Sequence, residues 1–562
     1  QAMMETFRTY TYLDHNRRLN VVSSTQVPFH CRRTIAHALG LPKNMVRVVK
    51  PRIGGGFGAK QTLVSELFPA LVTLRTGKPA KIVYTRKESF QASNSRHQMR
   101  VHVKVGAMKD GTIKAVDMHA LSNAGAYGEH ASTTIGLVGH KSIPLYARQA
   151  AFRFSWDVVY TNTMAAGAFR GYGATQGCFA MESAMNELAE KLNMDPAQLR
   201  LMNLPHVGEH MAAYYNEPLT SCKLPQCIER GMEMIGWKEK YPCVKVDDHR
   251  VRGVGMAVTM QGSGISAIDT ASVTIKLNDD GYYTLMIGAT DMGTGCDTIL
   301  AQMAAEILNC PMDRITVDGV DTDHSPFDTG SYASSTTYVT GMAVVKACTE
   351  LNEKIAAEGA RRLNIHPERA EFDGDKVYDR TNPETSITLD KLAQDLVVGE
   401  GTQWLTATAS HCSPTSPPPF MAGFAEVEVD LETGETKVVD YVGVVDCGTV
   451  INKNLARVQA EGGIAQGIGM ALLEDINYDP KGQMVNSTFM TYKIPSRTDL
   501  PEIRVEFQES YEPNGPFGAK SIGEVVINTP SPAIAQAVYN ATGVRVRSLP
   551  ITAEKILMGM EN

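Results

Sequence analysis

No run of about 18 apolar residues occurs in the 562-residue sequence, so no transmembrane helix is expected. Cysteine is scattered: its ten copies stand at 31, 178, 222, 227, 243, 296, 310, 348, 412 and 447, and none forms a Cys-x-x-Cys pair. That absence argues against zinc ribbons, cysteine-ligated iron–sulfur clusters and a disulfide framework, and it suits a reducing, cytoplasmic compartment. Any redox cofactor held here must be bound without a cysteine cage. No Lys/Arg run is interleaved with aromatics and the formal net charge is −7, so nucleic acid is not an expected partner. No solenoid-type repeat is visible either.

What is present is ordinary for a globular protein: 43% hydrophobic and 20% charged residues, in a chain long enough for two or more domains. Residue 1 is Gln, and QAMMETFRTYTYLD reads like the middle of a longer chain, so a front portion is expected ahead of it. Three hairpins are expected, over 100–121 turning at Asp110-Gly111, over 272–289 turning at Asp280-Gly281, and over 425–446 turning around Gly434. Helical periodicity marks 175–192, 297–308, 339–363, 454–472 and 531–542. Strands and helices alternate without a βαβ rhythm, which gives α+β as the class. The charged, poorly periodic stretch 229–253 is the candidate link between two halves, 1–240 and 241–562, and the Pro-rich segment 411–420 is expected to be a surface loop.

The segment IGGGFGAKQ (53–61) resembles a phosphate cradle at first sight. A P-loop needs GxxxxGK followed by Ser or Thr, but Ala59 precedes Lys60 and Gln61 follows it. The glycine spacing is also wrong for a dinucleotide-binding turn. Two readings remain: a plain glycine-rich turn, or glycines that let backbone amides approach a ligand. Three further segments bear on the choice. GATDMGTG (288–295) leads into a helix, GSYASSTTYVTG (330–341) sets Ser and Thr ahead of another, and LARVQAEGGIAQGIGMALLE (455–474) threads Gly462, Gly463, Gly467 and Gly469 through a third. Four such loops, rich in Gly, Ser, Thr and Gln but poor in Lys and Arg, suggest a large, polar, anionic cofactor held by amides and hydroxyls.

With SSTQ (23–26), GGGFGAKQ (54–61), GAFRGYGATQ (167–176), GATDMGTG, YASSTTYVTG (332–341), DCGTVINKNLARVQAEGGIAQGIGMALLE (446–474) and AKSIGE (519–524) laid out in this order, the chain resembles the molybdopterin-binding part of the molybdenum-hydroxylase family, the xanthine dehydrogenase and aldehyde oxidase relatives. Within the family it looks most like the separate molybdenum subunits of bacterial xanthine dehydrogenases. The resemblance implies two elongated mixed α/β halves with the cofactor buried between them. That cofactor would be molybdopterin or molybdopterin cytosine dinucleotide, its molybdenum held by the pterin dithiolene and not by side chains, with a terminal sulfido or selenido ligand. Iron–sulfur (2Fe-2S) clusters and FAD would sit on partner chains, in a higher oligomer of the heteromer. The implied activity is hydroxylation of a purine such as xanthine or hypoxanthine with oxygen from water; another N-heterocycle such as nicotinate, or an aldehyde, is the alternative.

The implied site follows position by position. Glu524 is the base, and its small or apolar neighbours predict a desolvated carboxylate able to take a proton near neutral pH. Gln26 lies beside the metal's oxo group, and Gly56, Phe57, Gly58 and Arg170 border the metal, Phe57, Gly58 and Arg170 through backbone amides. Met292, Gly293, Thr294, Ala333, Ser334, Ser335, Thr336 and Gln466 hold the pterin and its phosphate end. Tyr172 and the region of Ala267 take the places of rings that stack on substrate. Gln61 stands where the vertebrate xanthine enzymes have Glu and faces substrate. Arg170 and Gln61 are also candidates to stabilise charge developing on the ring. For the family's second substrate-facing arginine the nearest basic residues are His140 and Lys141. A glycine-loop nucleotide-binding protein and a scaffold that has lost its cofactor are the competing readings outside this class.

Overall fold

The computed structural model describes residues 1–562 apart from 147, 149, 150, 399, 400 and 562. All three hairpins form: Gln98–Ala107 with Ile113–Asn123, Thr270–Leu277 with Tyr283–Ile287, and Phe420–Asp430 with Thr436–Asp446. The five expected helices appear as Ala174–Lys191, Cys296–Leu308, Gly341–Leu363, Lys453–Leu472 and Pro530–Thr542. Among the described residues, no helix is long and apolar enough to cross a membrane.

The class is α+β, but the expected absence of βαβ units needs correction. Strands Leu19–Ser23 and Val46–Val49 pair in parallel across helix Pro28–Leu39, as do Tyr283–Ile287 and Ile315–Asp318 across helix Cys296–Leu308. Parallel strands need such a crossover. Each unit lies in a sheet whose remaining pairs are antiparallel, and the intervening hairpins hid the rhythm.

The candidate link is packed, and one expectation fails for a physical reason. Within and just before 229–253, helix Leu224–Ile235 buries Leu224, Cys227, Ile228, Gly231 and Ile235 along one face, and Trp237 is buried behind it. Its exposed charges had masked a helical stripe that begins before residue 229. One continuous hydrophobic core then joins residues from Ile113 to Trp237 with others from Val254 to Val444. The Pro-rich segment is also inside, with Ser416, Pro417, Pro418, Pro419 and Phe420 all buried. Successive prolines bring no N–H groups to satisfy, so this backbone enters the interior at low polar cost.

Close packing explains several glycines. Helix Pro530–Thr542 lies over strand Arg250–Met260 so tightly that a Cβ on Gly253 would stand 2.0 Å from the Ala537 carbonyl oxygen. In helix Lys453–Leu472, a Cβ on Gly463 would meet Val526 at 2.4 Å, whereas Gly462 has nothing within 4 Å. The helix thus packs through one glycine and opens onto empty space at the next.

Candidate active site

That space is a cavity of about 1060 Å³, walled by segments from both ends of the chain. Gln26, the GGGFG loop, residues 168–172, 261–265, 292–294, 331–337, 459–466 and 520–524 all contribute to it. The candidate site residues from the sequence border it, apart from Ala267 and His140. Ala267 instead turns at φ 57°, its amide donating to the Ser413 carbonyl at 2.8 Å, outside the cavity wall.

Gln26 closes a clamp between two of the loops. Its Nε2 donates to the Ser331 carbonyl at 2.8 Å and its Oε1 accepts from the Gly58 amide at 2.9 Å. Gly56 must lack a side chain, because a Cβ there would lie 2.5 Å from Gln26 Oε1. Phe57 and Gly58 sit at φ 53° and 99°, a conformation that glycine adopts freely and phenylalanine does not. The strained Phe57 accepts from the Arg170 amide at 2.9 Å through its carbonyl, while its own amide has no acceptor among the described residues.

The two amides expected beside the metal together with Phe57 are therefore already committed, that of Gly58 to Gln26 and that of Arg170 to Phe57. The Arg170 side chain is occupied too. Its guanidinium donates to the Gly523 carbonyl at 2.6 Å, to Gln466 Oε1 at 3.2 Å and to Gln459 at 3.1 Å, which ties three wall segments together. Burial pushes this guanidinium down to about 10, with Glu524 pulling the other way. Arg96, absent from the expectations, braces the same loop: it donates to the Arg170 carbonyl and Thr175 Oγ1, both at 2.8 Å, and lies over the Phe169 ring.

Glu524 projects from the turn after Gly523, but not into the apolar pocket expected from its neighbours in sequence. Its carboxylate accepts from the Gly171 amide at 3.1 Å, from Gln261 Nε2 at 3.3 Å and from Ser334 Oγ at 3.1 Å. Residues 171, 261 and 334 are remote in sequence, so only the fold supplies these donors. Gln261 was missed: it follows a strand buried from Gly253 to Met260, and nothing in the local pattern separates it from core. Its Oε1 is buried without a partner beside the cavity. Ala333 and Ser334 both take positive φ, at 48° and 54°, just ahead of the π-turn Thr336–Thr340.

The other wall groups divide by charge. Tyr172 takes φ 39° and shares a hydrogen bond of 2.7 Å with His130 Nδ1, and burial raises its phenol. Lys141, only 4% exposed, has its amine lowered to about 7 by burial, opposed by Glu524 and Glu217. Met292 accepts from the Gly55 amide at 3.0 Å, and Gly293 and Thr294 donate their amides to Asp291. Ser335 and Thr336 turn their hydroxyls toward Tyr332 and Ser331. Gln61 lies on the half-buried rim. Among the described residues the one set of three clustered metal-binding side chains is Asp291, Cys296 and Asp297, with the thiol raised by burial and by the two carboxylates. The unpaired Phe57 amide, the unpartnered Gln261 oxygen and the hydroxyl and amide groups of the wall fit a bulky polar group.

These features define a cofactor-binding chamber. Models of the molybdopterin cofactor-binding domain match residues 1–204 and 230–501. The chain is 38% identical over its whole length to the probable hypoxanthine oxidase XdhD of Escherichia coli (strain K12), spanning 59% of that protein. It is 35% identical to the putative xanthine dehydrogenase molybdenum-binding subunit XdhA of the same organism, over 98% of this chain and 74% of that one. The crystal structure of quinoline 2-oxidoreductase from Pseudomonas putida 86 superposes with a TM-score of 0.92 at 25% identity, covering all of this chain and 75% of that one. The chain belongs to the molybdopterin-binding family of xanthine dehydrogenase-like molybdenum oxidoreductases.

Proposed function

We propose that this chain forms the molybdenum subunit of a hydroxylase that oxidises a planar N-heterocycle, a purine such as xanthine or hypoxanthine, with oxygen from water. Electrons would leave to iron–sulfur clusters and FAD on partner chains in the cytoplasm, and the halves 1–240 and 241–562 would enclose the cofactor. The observation that carries the reading is a carboxylate, Glu524, fixed at the cavity wall by three donors next to the Gln26–Gly58 clamp.

When bound, molybdopterin supplies a molybdenum centre able to accept two electrons. The residues that would hold it are Gln26, Gly56, Phe57, Gly58, Met292 to Thr294, Ala333 to Thr336 and Gln466, all of which border the cavity. The chain's own chemistry is then proton handling and orientation. Glu524 takes up the proton released as oxygen is delivered to the ring, and Gly171, Gln261 and Ser334 keep its oxygens aimed. Tyr172 offers a ring face to a flat substrate, and Gln61 at the rim selects among ring substituents. Arg170 acts on the reacting region through the loops it ties together.

Glu524→Gln in the intact complex tests this. Turnover with a dye acceptor should fall by about two to four orders of magnitude, the span of general-base catalysis, while molybdenum content stays near that of the parent. Activity retained within tenfold at full molybdenum loading removes Glu524 as the base. Nicotinate-type heterocycles form the second reading, favoured by the buried Lys141.

A further inference from the structure

We infer that strand Ala151–Val159 is a self-complementary edge that pairs, antiparallel and across a two-fold axis, with the same strand of a second copy of this chain. None of its residues borders the cavity, so the pairing is independent of the chemistry proposed there. The strand lies at one side of a three-stranded sheet, Gln98–Ala107, Ile113–Asn123 and Ala151–Val159, and is joined in parallel to the middle strand. The Val159 carbonyl accepts the Ala124 amide at 2.9 Å, so Val159 and every second residue before it turn their N–H and C=O groups toward the middle strand. Alternation points those of Phe152, Phe154, Trp156 and Val158 outward, where they have no partner among the described residues. Free edges are usually blunted. The opposite edge of this sheet is: Gln98–Ala107 exposes Arg100 and Lys104 on one face and shifts register between Gly106 and Ala107. Ala151–Val159 carries neither Lys nor Pro, runs in unbroken register, and leaves Phe152 and Trp156 42% and 46% exposed.

The order AFRFSWDVV selects a second copy as the occupant. Antiparallel pairing centred on Ser155 sets Arg153 opposite Asp157 of the second copy, Phe154 opposite its Trp156 and Phe152 opposite its Val158, and the dyad repeats each pair. The outward backbone groups of Phe152, Phe154, Trp156 and Val158 then meet in hydrogen-bonded pairs. Arg153, Ser155 and Asp157 fall in the alternate pairs, where facing side chains come closest. Arg153 and Asp157 are both exposed. Arg153 gives Nε and Nη2 to Asp117 at 2.9 and 2.5 Å, which leaves Nη1 for the carboxylate of the second copy. Asp157 has His119 Nε2 at 3.6 Å as its one ion-pair partner among the described residues. Phe154 and Trp156 lie 5.2 Å apart within one strand, and the dyad gathers two such pairs into one apolar strip. Charge also fixes the register. Centring on Phe154 or on Trp156 sets Arg153 against Ser155 or Val159 and leaves both charges unmatched.

Sedimentation of the intact complex with its partner chains tests the pairing. Arg153→Glu and Asp157→Lys should each weaken its self-association by about ten- to a hundredfold, because either one sets like charges opposite each other at both ends of the dyad. Mixing the two variants restores opposite charges at every pair, so mixed dimers should regain most of the parental affinity, which a merely structural role of either residue does not produce. Ser155 meets its own copy at a Cα separation of about 4.5 Å, within the disulfide range. Oxidised Ser155→Cys should therefore form a covalent dimer, whereas Asp157→Cys, which faces Arg153, should not. The parent complex controls for exposed Cys243 and Cys412. A complex holding a single copy of this chain, a dimer unmoved by either charge reversal, variants that fail to associate when mixed, or equal cross-linking at 155 and 157 overturns the pairing. So does cross-linking of Ser155→Cys to a partner chain, which assigns the edge to that partner.

Discussion

Lys60 occupies the position at which a nucleotide-binding loop would carry its phosphate lysine, and the structure gives it a different duty. Its ammonium lies 2.7 Å from Glu5 Oε2, with Lys60 1% and Glu5 7% exposed. The same Glu5 oxygen accepts the Gly54 amide at 2.8 Å, and the Glu5 amide donates to the Gly54 carbonyl at 3.1 Å, so the pair anchors the GGGFG loop. Lys60→Met leaves a buried carboxylate without its main partner, which typically costs about 3–5 kcal/mol. Arg8, half exposed and 2.8 Å from Glu5 Oε1, retains part of the compensation, so the lower end, about 3 kcal/mol, is expected. In the Glu5→Gln/Lys60→Met double variant no charge is stranded and the Gly54 amide keeps an acceptor, so about 1–2 kcal/mol should return. Urea unfolding of the three proteins measures this, alongside molybdenum content per folded chain. An unchanged unfolding midpoint with molybdenum lost would refute the reasoning and make Lys60 a cofactor ligand.

Burial holds the Asp328 carboxyl up at about 6 against an ordinary 3.8, so the folded state binds its proton more tightly than the unfolded chain does, and stability should fall as pH rises from about 4 through 6. Asp328→Asn can still partner the Gly330 amide and Thr340 hydroxyl, and it should remove a fall of about 3 kcal/mol from that window; an unaltered stability profile between pH 4 and 7 contradicts it. Gly56→Ala puts a methyl 2.5 Å from Gln26 Oε1 and should displace it from the Gly58 amide, lowering stability by about 1–3 kcal/mol and turnover with it. Parental stability and turnover in Gly56→Ala would show that the Gln26 clamp is dispensable.

Local signals carried the hairpins, because Asp110-Gly111 and Asp280-Gly281 specify their turns within a few residues; both glycines take positive φ, at 92° and 79°. They carried the cavity-lining loops as well, since glycine and hydroxyl residues ahead of helices are visible in a short window. What they could not carry was the partner of each group. Glu524 looked desolvated from Ile522, Gly523 and Val525, yet its donors come from 353, 263 and 190 positions away. Lys141 looked like a weak stand-in for a missing arginine, and its environment of Tyr214, Tyr215 and Gly262 exists only after residues 211–217 and 261–264 fold against its helix. The buried prolines at 417–419 misled in the opposite direction, because surface loops and donor-free buried backbone share the same composition.

The tetrapeptide FGAK occurs at 57–60 and again at 517–520, and the two copies have the same conformational logic. Phe57 and Phe517 both take φ 53°, followed by Gly58 at 99° and Gly518 at 86°. In each the lysine turns inward to an acid distant in sequence: Lys60 to Glu5, and Lys520 to Asp446 at 2.9 Å, off the line of a hydrogen bond, with both of the latter fully buried. A lysine serving phosphate would be left for the ligand to neutralise, whereas these carry their neutralising carboxylates within the fold. Each pair stiffens a loop whose next residues reach the cavity, Gln61 after one and Glu524 after the other. Lys141 borders that cavity without any such acid.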